Sequence, residues 1–174
     1  MKDWKLKVKE KLDAAAIRDE FQQLSDRESR DISGDITISA LTENDMKQVS
    51  YLGYKELGLI PWVVNEDHPY AAFVDGGFSF VTKKDDEVLG FILAYKCSTF
   101  GGYNYIYIDT FVVNSFAQGQ GVGKMLFSQV RDLAHKQKIY SIKLATKRSI
   151  PDHEIYKHFG LRDEAEEYVH MESY

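Results

Sequence analysis

Hydrophobic positions recur with a helical period at the start of the chain and with strand-like alternation further along. Within residues 1–30 the apolar side chains follow helical spacing: Trp4, Val8, Leu12, Ile17, Phe21 and Leu24. Lysine and acidic residues fill the other positions, which suits a solvated helix face. The pattern predicts an N-terminal helical extension over residues 1–30, either docked on the rest of the chain or acting as a lid or dimer contact. Residues 31–34 break the pattern, and residues 31–174 are expected to form one domain.

Residues 31–174 carry strand and helix patterns in a definite order. Thr42 and Asp45 have the spacing of a capping box, so a helix is expected to begin there and to end near Gly58. The other predicted elements are a strand with Ile36, Ile38 and Ala40, a hairpin of residues 78–82 and 88–95, a strand at 105–113, a helix with Val122, Leu126, Val130 and Leu133, and a strand at 139–145. This order predicts a mixed α/β sandwich.

Composition and charge narrow the class of protein. The chain has 174 residues, 44% hydrophobic and 13% aromatic, which is enough for one domain with a substantial core. Its formal net charge of -5 gives no basic footprint, so no nucleic-acid partner is expected. No apolar stretch approaches the ~20 residues of a membrane span. The single cysteine, Cys97, excludes an intramolecular disulfide, fits a cytoplasmic location, and is expected to be buried in its apolar run.

The most informative segment follows the predicted strand 105–113. It reads Gln118-Gly119-Gln120-Gly121-Val122-Gly123-Lys124 and leads directly into a helix. Three glycines at every second position allow a tight turn and leave the backbone amides unobstructed. The helix adds its free N-terminal amides and the positive end of its dipole. Strand, loop and helix N-terminus together predict a cradle for a pyrophosphate.

The spacing of this run separates it from two other phosphate loops. A Walker A loop would need a glycine at Gln118 and a hydroxyl side chain at Met125, and a dinucleotide fingerprint would need a glycine at Lys124. The Q-x-x-G-x-G pattern instead resembles the acetyl-CoA loop of the GNAT N-acetyltransferase superfamily. The order of elements around it is similar to that family, as is the segment Ile155-Tyr156-Lys157-His158-Phe159-Gly160-Leu161.

The resemblance implies the fold and the cosubstrate. Residues 31–174 would form a GNAT domain, with a mixed, mostly antiparallel central sheet flanked by helices. Acetyl-CoA would be the cosubstrate, with no metal. The resemblance implies these cofactor-binding residues: Phe111, Val112 and Val113 for the pantetheine arm, Gln118, Gly119, Gln120, Gly121, Val122, Gly123 and Lys124 for the pyrophosphate, and Ser149 and Tyr156 for further contacts.

The resemblance also assigns catalytic roles. Tyr156 lies four residues before Gly160, where the family's tyrosine protonates the thiolate of CoA, so it is the expected general acid. A core tyrosine that packs beside Phe159 is the structural alternative. Asp109 matches an acidic position of the family and is the expected general base, although a hydrogen-bonded structural aspartate explains it equally well.

The strand pattern places the candidate base. Regular alternation would put Tyr107, Asp109, Phe111 and Val113 on one face of the strand 105–113. Tyr107 occupies another position where the family carries an acid. Glu66 and His68, in the loop before residue 71, are alternative bases.

The acceptor is expected to be a small-molecule amine. Trp62, Tyr70 and Phe73, with Glu66 and Asp67, predict an aromatic and acidic pocket for a cation. Peptide N-termini and lysine side chains satisfy the same description. Homodimers are common in the family that the chain resembles, so a homodimer is one expected assembly.

Two other classes of function stay open on the sequence alone. Ser149 and Asp152 replace an asparagine and an alanine that the family often carries, which fits a noncatalytic acyl-CoA-binding module. A nucleotide-binding protein could use the same loop for ATP. A zinc site is not predicted, because His153 and His158 are five residues apart and point about 140° apart on a helix, unlike the pair in H-E-x-x-H.

Overall fold

The computed structural model of the chain describes residues 14–28, 32–59, 71–146 and 153–162. The helices are α1 (Ala14–Arg27), α2 (Met46–Leu57), α3 (Ala71–Asp75), α4 (Val122–Lys136) and α5 (His153–His158). The strands are β1 (Ile36–Ala40), β2 (Phe80–Lys84), β3 (Glu87–Ser98), β4 (Asn104–Val113) and β5 (Ile142–Leu144). Short 3-10 turns, Glu43–Asp45 and Ser115–Ala117, precede α2 and follow β4.

Local sequence determines where α2 begins and ends. The Thr42 N–H and hydroxyl donate to Asp45 Oδ2 at 2.9 and 2.7 Å, which forms the predicted capping box. Gly58 ends the helix in the left-handed conformation, with a φ of 65°. Between these residues, Val49 and Leu52 are buried against the sheet.

The five strands form one sheet in the order β1-β2-β3-β4-β5. The first four pair antiparallel, and β5 pairs parallel to β4 after the crossover through α4. On one face, α2 packs on a core that includes Phe91 and Val112. On the other face, α4 contributes the buried Leu126 and Val130 to a second core. The predicted mixed, mostly antiparallel sheet flanked by helices is confirmed.

Strand β4 carries one residue more than its partner β3 at Asp109. Leu93 pairs with Thr110 and Ala94 pairs with Ile108, so Asp109 has no opposite residue on β3. An extra residue of this kind is a β-bulge, which interrupts the regular alternation of side chains along a strand.

The bulge changes which side chains share a face. Phe111 and Val113 pack against the same core as Ile108, on the α4 face. The prediction that they share a face with Tyr107 and Asp109 is therefore wrong. It assumed an uninterrupted strand, whereas the bulge shifts the alternation by one residue.

The parallel pairing covers only the first part of β4. Ile108 pairs with Leu144, and the pairing between β4 and β5 ends there. Within the described residues, positions 110–113 of β4 have a strand neighbour only on the β3 side. This unpaired side of residues 110–113 is the open edge of β4. The sheet separates between β4 and β5 at the carboxyl end of β4.

Helix α1 confirms that part of the N-terminal region is helical, while residues 1–13 lie outside the described part. The Phe21 ring packs on Tyr51 and Tyr54 of α2, at centroid distances of 5.3 and 5.4 Å. Glu20 pairs with Lys47 at 2.7 Å. The helix is docked on α2, which is the first of the two alternatives drawn from the sequence.

Two local predictions change at the other side of the sheet. The strand predicted at 139–145 shortens to β5, because the Ile139 N–H donates to Ala134 O and closes the end of α4. Cys97 is half-buried rather than buried, since it lies opposite Tyr105 near the end of β3, beyond the part of the strand that the helices cover.

Candidate active site

The glycine loop, residues 118–123, turns the chain from β4 into α4. Gly119 and Gly121 have φ angles of 76° and 86°, which glycine adopts without the steric cost that other residues meet. The Gly121 carbonyl accepts the first α-helical hydrogen bond, from Met125 N–H at 2.9 Å. The N–H groups of the first turn of α4 therefore lack partners inside the helix and point back toward the loop.

Gly123 lets the start of α4 approach β4 closely. A Cβ atom at this position would lie 3.3 Å from Phe111 Cζ and 3.5 Å from Val113 Cγ2. The first of these distances is tighter than ordinary van der Waals contact, so a side chain here would press on the Phe111 ring. The helix N-terminus and the open edge of β4 consequently border the same space.

A cleft of about 770 Å³ occupies that space. The residues singled out from the sequence that line it are Asp109, Phe111, Val112, Val113, Gln118, Gly119, Gly123 and Tyr156. The other lining residues are Glu56, Leu57, Leu59, Thr110, Ala145, Thr146 and Ile155. The fold therefore brings both candidate catalytic residues together with the strand and loop residues expected to hold the cofactor.

Backbone groups of β4 face this cleft. The Asn114 N–H donates to Leu89 O of β3 at 2.8 Å. Because alternate amides of a strand point to opposite edges, the N–H groups of Phe111 and Val113 point away from β3, toward the cleft. The Val113 carbonyl lies on the same side, where it accepts a hydrogen bond from Gln118 Nε2 at 3.2 Å. The open edge thus presents both donors and acceptors.

Tyr156 is held at the cleft by aromatic packing. Phe159, directly after α5, stacks on Phe127 of α4 with ring centroids 4.8 Å apart and an interplanar angle of 11°. The Phe111 ring lies 6.1 Å from Phe159 and 6.3 Å from Tyr156. These contacts fix the short helix α5 against α4 and β4, so the half-buried Tyr156 faces the cleft.

Asp109, the bulged residue of β4, lines the cleft. Its carboxylate is exposed and accepts a hydrogen bond from the Thr110 hydroxyl at 2.8 Å. Asp109 is therefore hydrogen-bonded, as the structural interpretation expects. It also lines the cleft, where a general base would have to lie.

Glu56 is a carboxylate at the cleft that the sequence analysis did not single out. Its Oε1 accepts hydrogen bonds from the Ser115 N–H at 3.1 Å and the Ser115 hydroxyl at 3.2 Å. It thereby fixes the 3-10 turn that leads into the glycine loop. One signal could have found it, since a carboxylate in the last turn of a helix opposes the helix dipole and is favoured only when it has another partner.

Comparison with known proteins now identifies the domain. Residues 43–161 match the acetyltransferase (GNAT) family. The chain belongs to the GNAT family. It is therefore an acyltransferase. No curated protein matches the chain in sequence.

Solved structures of GNAT proteins share the fold. Arabidopsis thaliana Naa50, in complex with the bisubstrate analogue CoA-Ac-MVNAL, is 25% identical, with a TM-score of 0.60 over 73% of this chain and 83% of that chain. An aminoglycoside acetyltransferase from an uncultured soil metagenomic sample, in complex with sisomicin, is 16% identical, with a TM-score of 0.67 over 83% and 99%. A ribosomal-protein-alanine N-acetyltransferase from Brucella melitensis biovar Abortus 2308 is 18% identical, with a TM-score of 0.61 over 79% and 99%.

The GNAT domain carries an aromatic surface beside Asp109. Phe73 of α3 lies 5.9 Å from Tyr95 of β3, and Tyr95 lies 5.7 Å from Tyr107 of β4, both between ring centroids. Burial, together with the nearby Cys97 and Asp109, raises the pKa of Tyr95 above its ordinary value. The Tyr95 phenol is neutral at physiological pH, as an ordinary tyrosine is, and offers an uncharged aromatic face.

Several residues predicted for the GNAT site lie outside the described part of the chain. They are Ser149 after β5, and Trp62, Glu66, Asp67, His68 and Tyr70 before α3; Asp152, which departs from the family pattern, also lies outside the described part. Gln120, Gly121, Val122 and Lys124 belong to the glycine loop and the first turn of α4, but they do not line the cleft itself. Their backbone amides, rather than their side chains, are expected to contact a pyrophosphate.

The described ranges 14–28, 32–59, 71–146 and 153–162 hold neither a cluster of metal ligands nor a helix suited to a membrane. There, no group of three or more His, Cys, Asp or Glu side chains is placed to hold a metal ion. Among the helices of these same ranges, none has the length and apolar character needed to span a bilayer.

Proposed function

We propose that this GNAT domain moves the acetyl group of acetyl-CoA to a primary amine, by direct attack of the amine in a ternary complex. One observation carries the proposal: the open edge of β4, the glycine loop and Tyr156 border a single cleft of about 770 Å³. A pyrophosphate, an amide-containing arm and a departing thiolate would each find a suitable group along that cleft. The acceptor we favour is a small-molecule amine.

Acetyl-CoA fits the donors and the shape of this cleft. Gly119 and Gly121 leave the loop amides unobstructed, and the N-terminus of α4 adds its positive dipole end, so this end would hold the pyrophosphate. Lys124 is exposed in the same turn and adds a positive charge. The N–H groups of Phe111 and Val113 would pair with the amides of the pantetheine arm as a neighbouring strand does. The cleft also lies within the roughly 300–1,000 Å³ of small-molecule sites.

Acyl transfer then needs a proton donor and a stabilised oxyanion. The amine nitrogen attacks the thioester carbonyl carbon, the new C–N bond forms and the C–S bond breaks. A backbone N–H of the open edge would donate to the carbonyl oxygen as it gains negative charge. Tyr156 would give its phenol proton to the departing thiolate and would then regain a proton from solvent. The proton lost by the amine would leave through Asp109 or directly to solvent.

The groups beside the cleft favour a cationic amine as acceptor. The exposed Asp109 carboxylate borders the cleft and attracts an ammonium group before it loses its proton. The rings of Phe73, Tyr95 and Tyr107 continue from Asp109 and would contact the body of the acceptor or its cation. Charge attraction at this point would concentrate the substrate where it must react.

A peptide N-terminus is the second candidate acceptor. Arabidopsis thaliana Naa50, which was solved with the bisubstrate analogue CoA-Ac-MVNAL, is 25% identical to this chain. Both candidates are primary amines, so they differ in the body of the acceptor and not in the reaction. A panel that contains both kinds of amine separates them.

Cofactor binding is tested first, by thermal unfolding of the purified chain. Acetyl-CoA at 100 times its Kd should stabilise the native state by about 2.7 kcal/mol, while ATP and NAD at the same concentration should not. No rise in Tm with acetyl-CoA would refute the proposal. A larger rise with ATP would instead favour the nucleotide-binding alternative.

Transfer is tested by the release of free CoA thiol in the presence of an amine panel. The panel contains monoamines, polyamines, sisomicin and a peptide that begins Met-Val-Asn-Ala-Leu. Amine-dependent thiol release, with the acetylated amine seen by mass spectrometry, is the expected result. Binding of acetyl-CoA without release for any amine would favour the noncatalytic acyl-CoA-binding module.

A further inference from the structure

The N-terminal helix reaches the segment that enters the glycine loop. Glu28, directly after α1, accepts a hydrogen bond from Asn114 Nδ2 at 2.7 Å and forms an ion pair with Lys55 of α2. The Lys55 ammonium also donates to Asn114 Oδ1 at 3.0 Å. The three side chains close a ring of polar contacts between α1, α2 and the residue that follows β4.

The ring satisfies a buried amide. Asn114 is only 1% exposed, so the N–H and carbonyl groups of its side-chain amide need partners within the protein. Lys55 supplies the donor and Glu28 supplies the acceptor. Loss of the Glu28 carboxylate would remove an acceptor from a place that water reaches poorly, which disfavours the observed position of Asn114.

From Asn114 the contacts continue into the loop. The backbone carbonyl of Asn114 accepts a hydrogen bond from the Ala117 N–H at 2.8 Å. The Lys55 ammonium lies 5.3 Å from the centre of the Phe116 ring, and the Phe116 carbonyl accepts a hydrogen bond from Gln120 Nε2 at 3.1 Å. A shift of Asn114 would therefore be passed along this segment to Gln120, in the middle of the glycine loop.

Helix α1 is held to the domain at separate points. An opening of about 380 Å³ lies beneath it, lined in part by Leu24, Glu28 and Gln48. Phe21 and Glu20 contact α2. Glu28, which lines the opening, contacts Lys55 of α2 and Asn114 at the start of the loop segment. Glu28 and Glu20 thus anchor the same helix, but the contacts of Glu20 are on α2 and those of Glu28 extend to Asn114.

We infer that Glu28 is a positioning residue for acetyl-CoA. It acts through Asn114 to keep the entry to the glycine loop in the conformation that binds the pyrophosphate. The inference rests on the proposed function, which assigns the pyrophosphate to that loop. It makes the N-terminal helix part of the cofactor site, although Glu28 does not line the cleft.

The first experiment measures the Kd for acetyl-CoA by titration calorimetry on full-length variants. Glu28→Ala is expected to raise the Kd about 10-fold, because Asn114 Nδ2 loses its acceptor. Glu28→Gln should raise it less, since the amide oxygen still accepts from Asn114. Glu20→Ala is the matched control: it removes an ion pair on the same helix and should leave the Kd within about 2-fold of wild type.

The second experiment separates positioning from general loss of stability. For Glu28→Ala, the KM for acetyl-CoA should rise while kcat stays within about 2-fold, because no group at the reacting atoms changes. In an Asn114→Ala background, Glu28→Ala should add little further loss. Equal Kd values for wild type and Glu28→Ala would overturn the inference, as would equal losses in the Glu20 and Glu28 variants. A wild-type chain that does not bind acetyl-CoA would overturn the proposed function as well.

Discussion

The rings of Phe111 and Tyr156 lie 6.3 Å apart, with an interplanar angle of 48°. Phe111 belongs to β4, whose open edge borders the cleft, and Tyr156 belongs to α5 and lines the same cleft. This contact links the proposed proton donor to the strand proposed to hold the cofactor. Because the ring provides the packing and the hydroxyl provides the chemistry, the two can be separated by substitution.

Tyr156→Phe keeps the ring and removes the phenol oxygen. We expect kcat for acetyl transfer to fall about 100-fold, since general acid catalysis contributes about 10²–10⁴-fold. The KM for acetyl-CoA and the Tm should change little. Thiol release under saturating substrates measures the effect. Tyr140→Phe, at an exposed position after α4, is the control, and a Tyr156→Phe enzyme as fast as that control would remove Tyr156 from the mechanism.

Gly123→Ala tests the close approach of α4 to β4. The added Cβ would lie 3.3 Å from Phe111 Cζ, so the Phe111 ring or the helix N-terminus must move by a few tenths of an ångström. We expect the Kd for acetyl-CoA to rise about 10-fold. Gly101→Ala, in the β3–β4 turn with nothing within 4 Å of the added atom, should leave it unchanged. Calorimetric titration of both variants measures the two Kd values. Equal affinities would mean that the close approach of α4 to β4 does not matter for acetyl-CoA binding.

Asp109→Asn removes the charge that borders the cleft but keeps the size of the side chain. The acceptor amine is expected to bind less well, with kcat/KM for the amine about 10-fold lower and the KM for acetyl-CoA unchanged. Asp132→Asn, on the exposed side of α4, controls for a change in net charge. A loss that appears equally in both variants would point to the overall charge of the protein instead of Asp109.

Alkaline pH should destabilise the domain through Tyr95. Burial and its neighbours raise the pKa of Tyr95 above the usual value of about 10. The folded chain therefore keeps the phenol proton at pH values where the unfolded chain has lost it. The contribution of Tyr95 to the free energy of unfolding is consequently expected to be constant below about pH 10 and to be lost as the pH rises above it.

Tyr95→Phe removes the titrating group and should flatten that alkaline fall. Urea unfolding at several pH values between about 9 and 11 measures the slope for wild type and variant. Tyr54→Phe, at a position that is half exposed on α2, provides the comparison. Identical slopes for wild type and Tyr95→Phe would assign the alkaline sensitivity to another group.

Local sequence was sufficient to predict the strand, glycine loop and helix that build the site. Glycine at positions 119 and 121 indicates a positive φ angle, which both residues have. The apolar stripe of α4 indicates its buried face, where Leu126 and Val130 have no exposed surface. Thr42 and Asp45 likewise form their predicted cap because both residues are close in sequence. Features of this kind depend on interactions within a few residues, which a single sequence contains.

Features that depend on distant contacts could not be predicted. The bulge at Asp109 has no glycine or proline to mark it, and it arises from the register between β3 and β4. Glu56 is a site residue because of Ser115, which is 59 positions away. Glu28 contacts Asn114 across 86 positions. Periodicity and spacing do not encode such pairings, so these residues became visible only in the folded structure.

The open edge of β4 also matters when no cosubstrate is bound. An unpaired strand edge offers N–H and carbonyl groups to any extended chain, including another copy of the same protein, and is a recognised starting point for aggregation. Here the Gln118 side chain donates a hydrogen bond to the Val113 carbonyl, so this acceptor is less available to another chain. The same groups that would pair with a pantetheine arm thus expose the protein to intermolecular β-pairing. Bound acetyl-CoA would cover the open edge of β4 and would thereby protect the protein from such pairing during expression and storage.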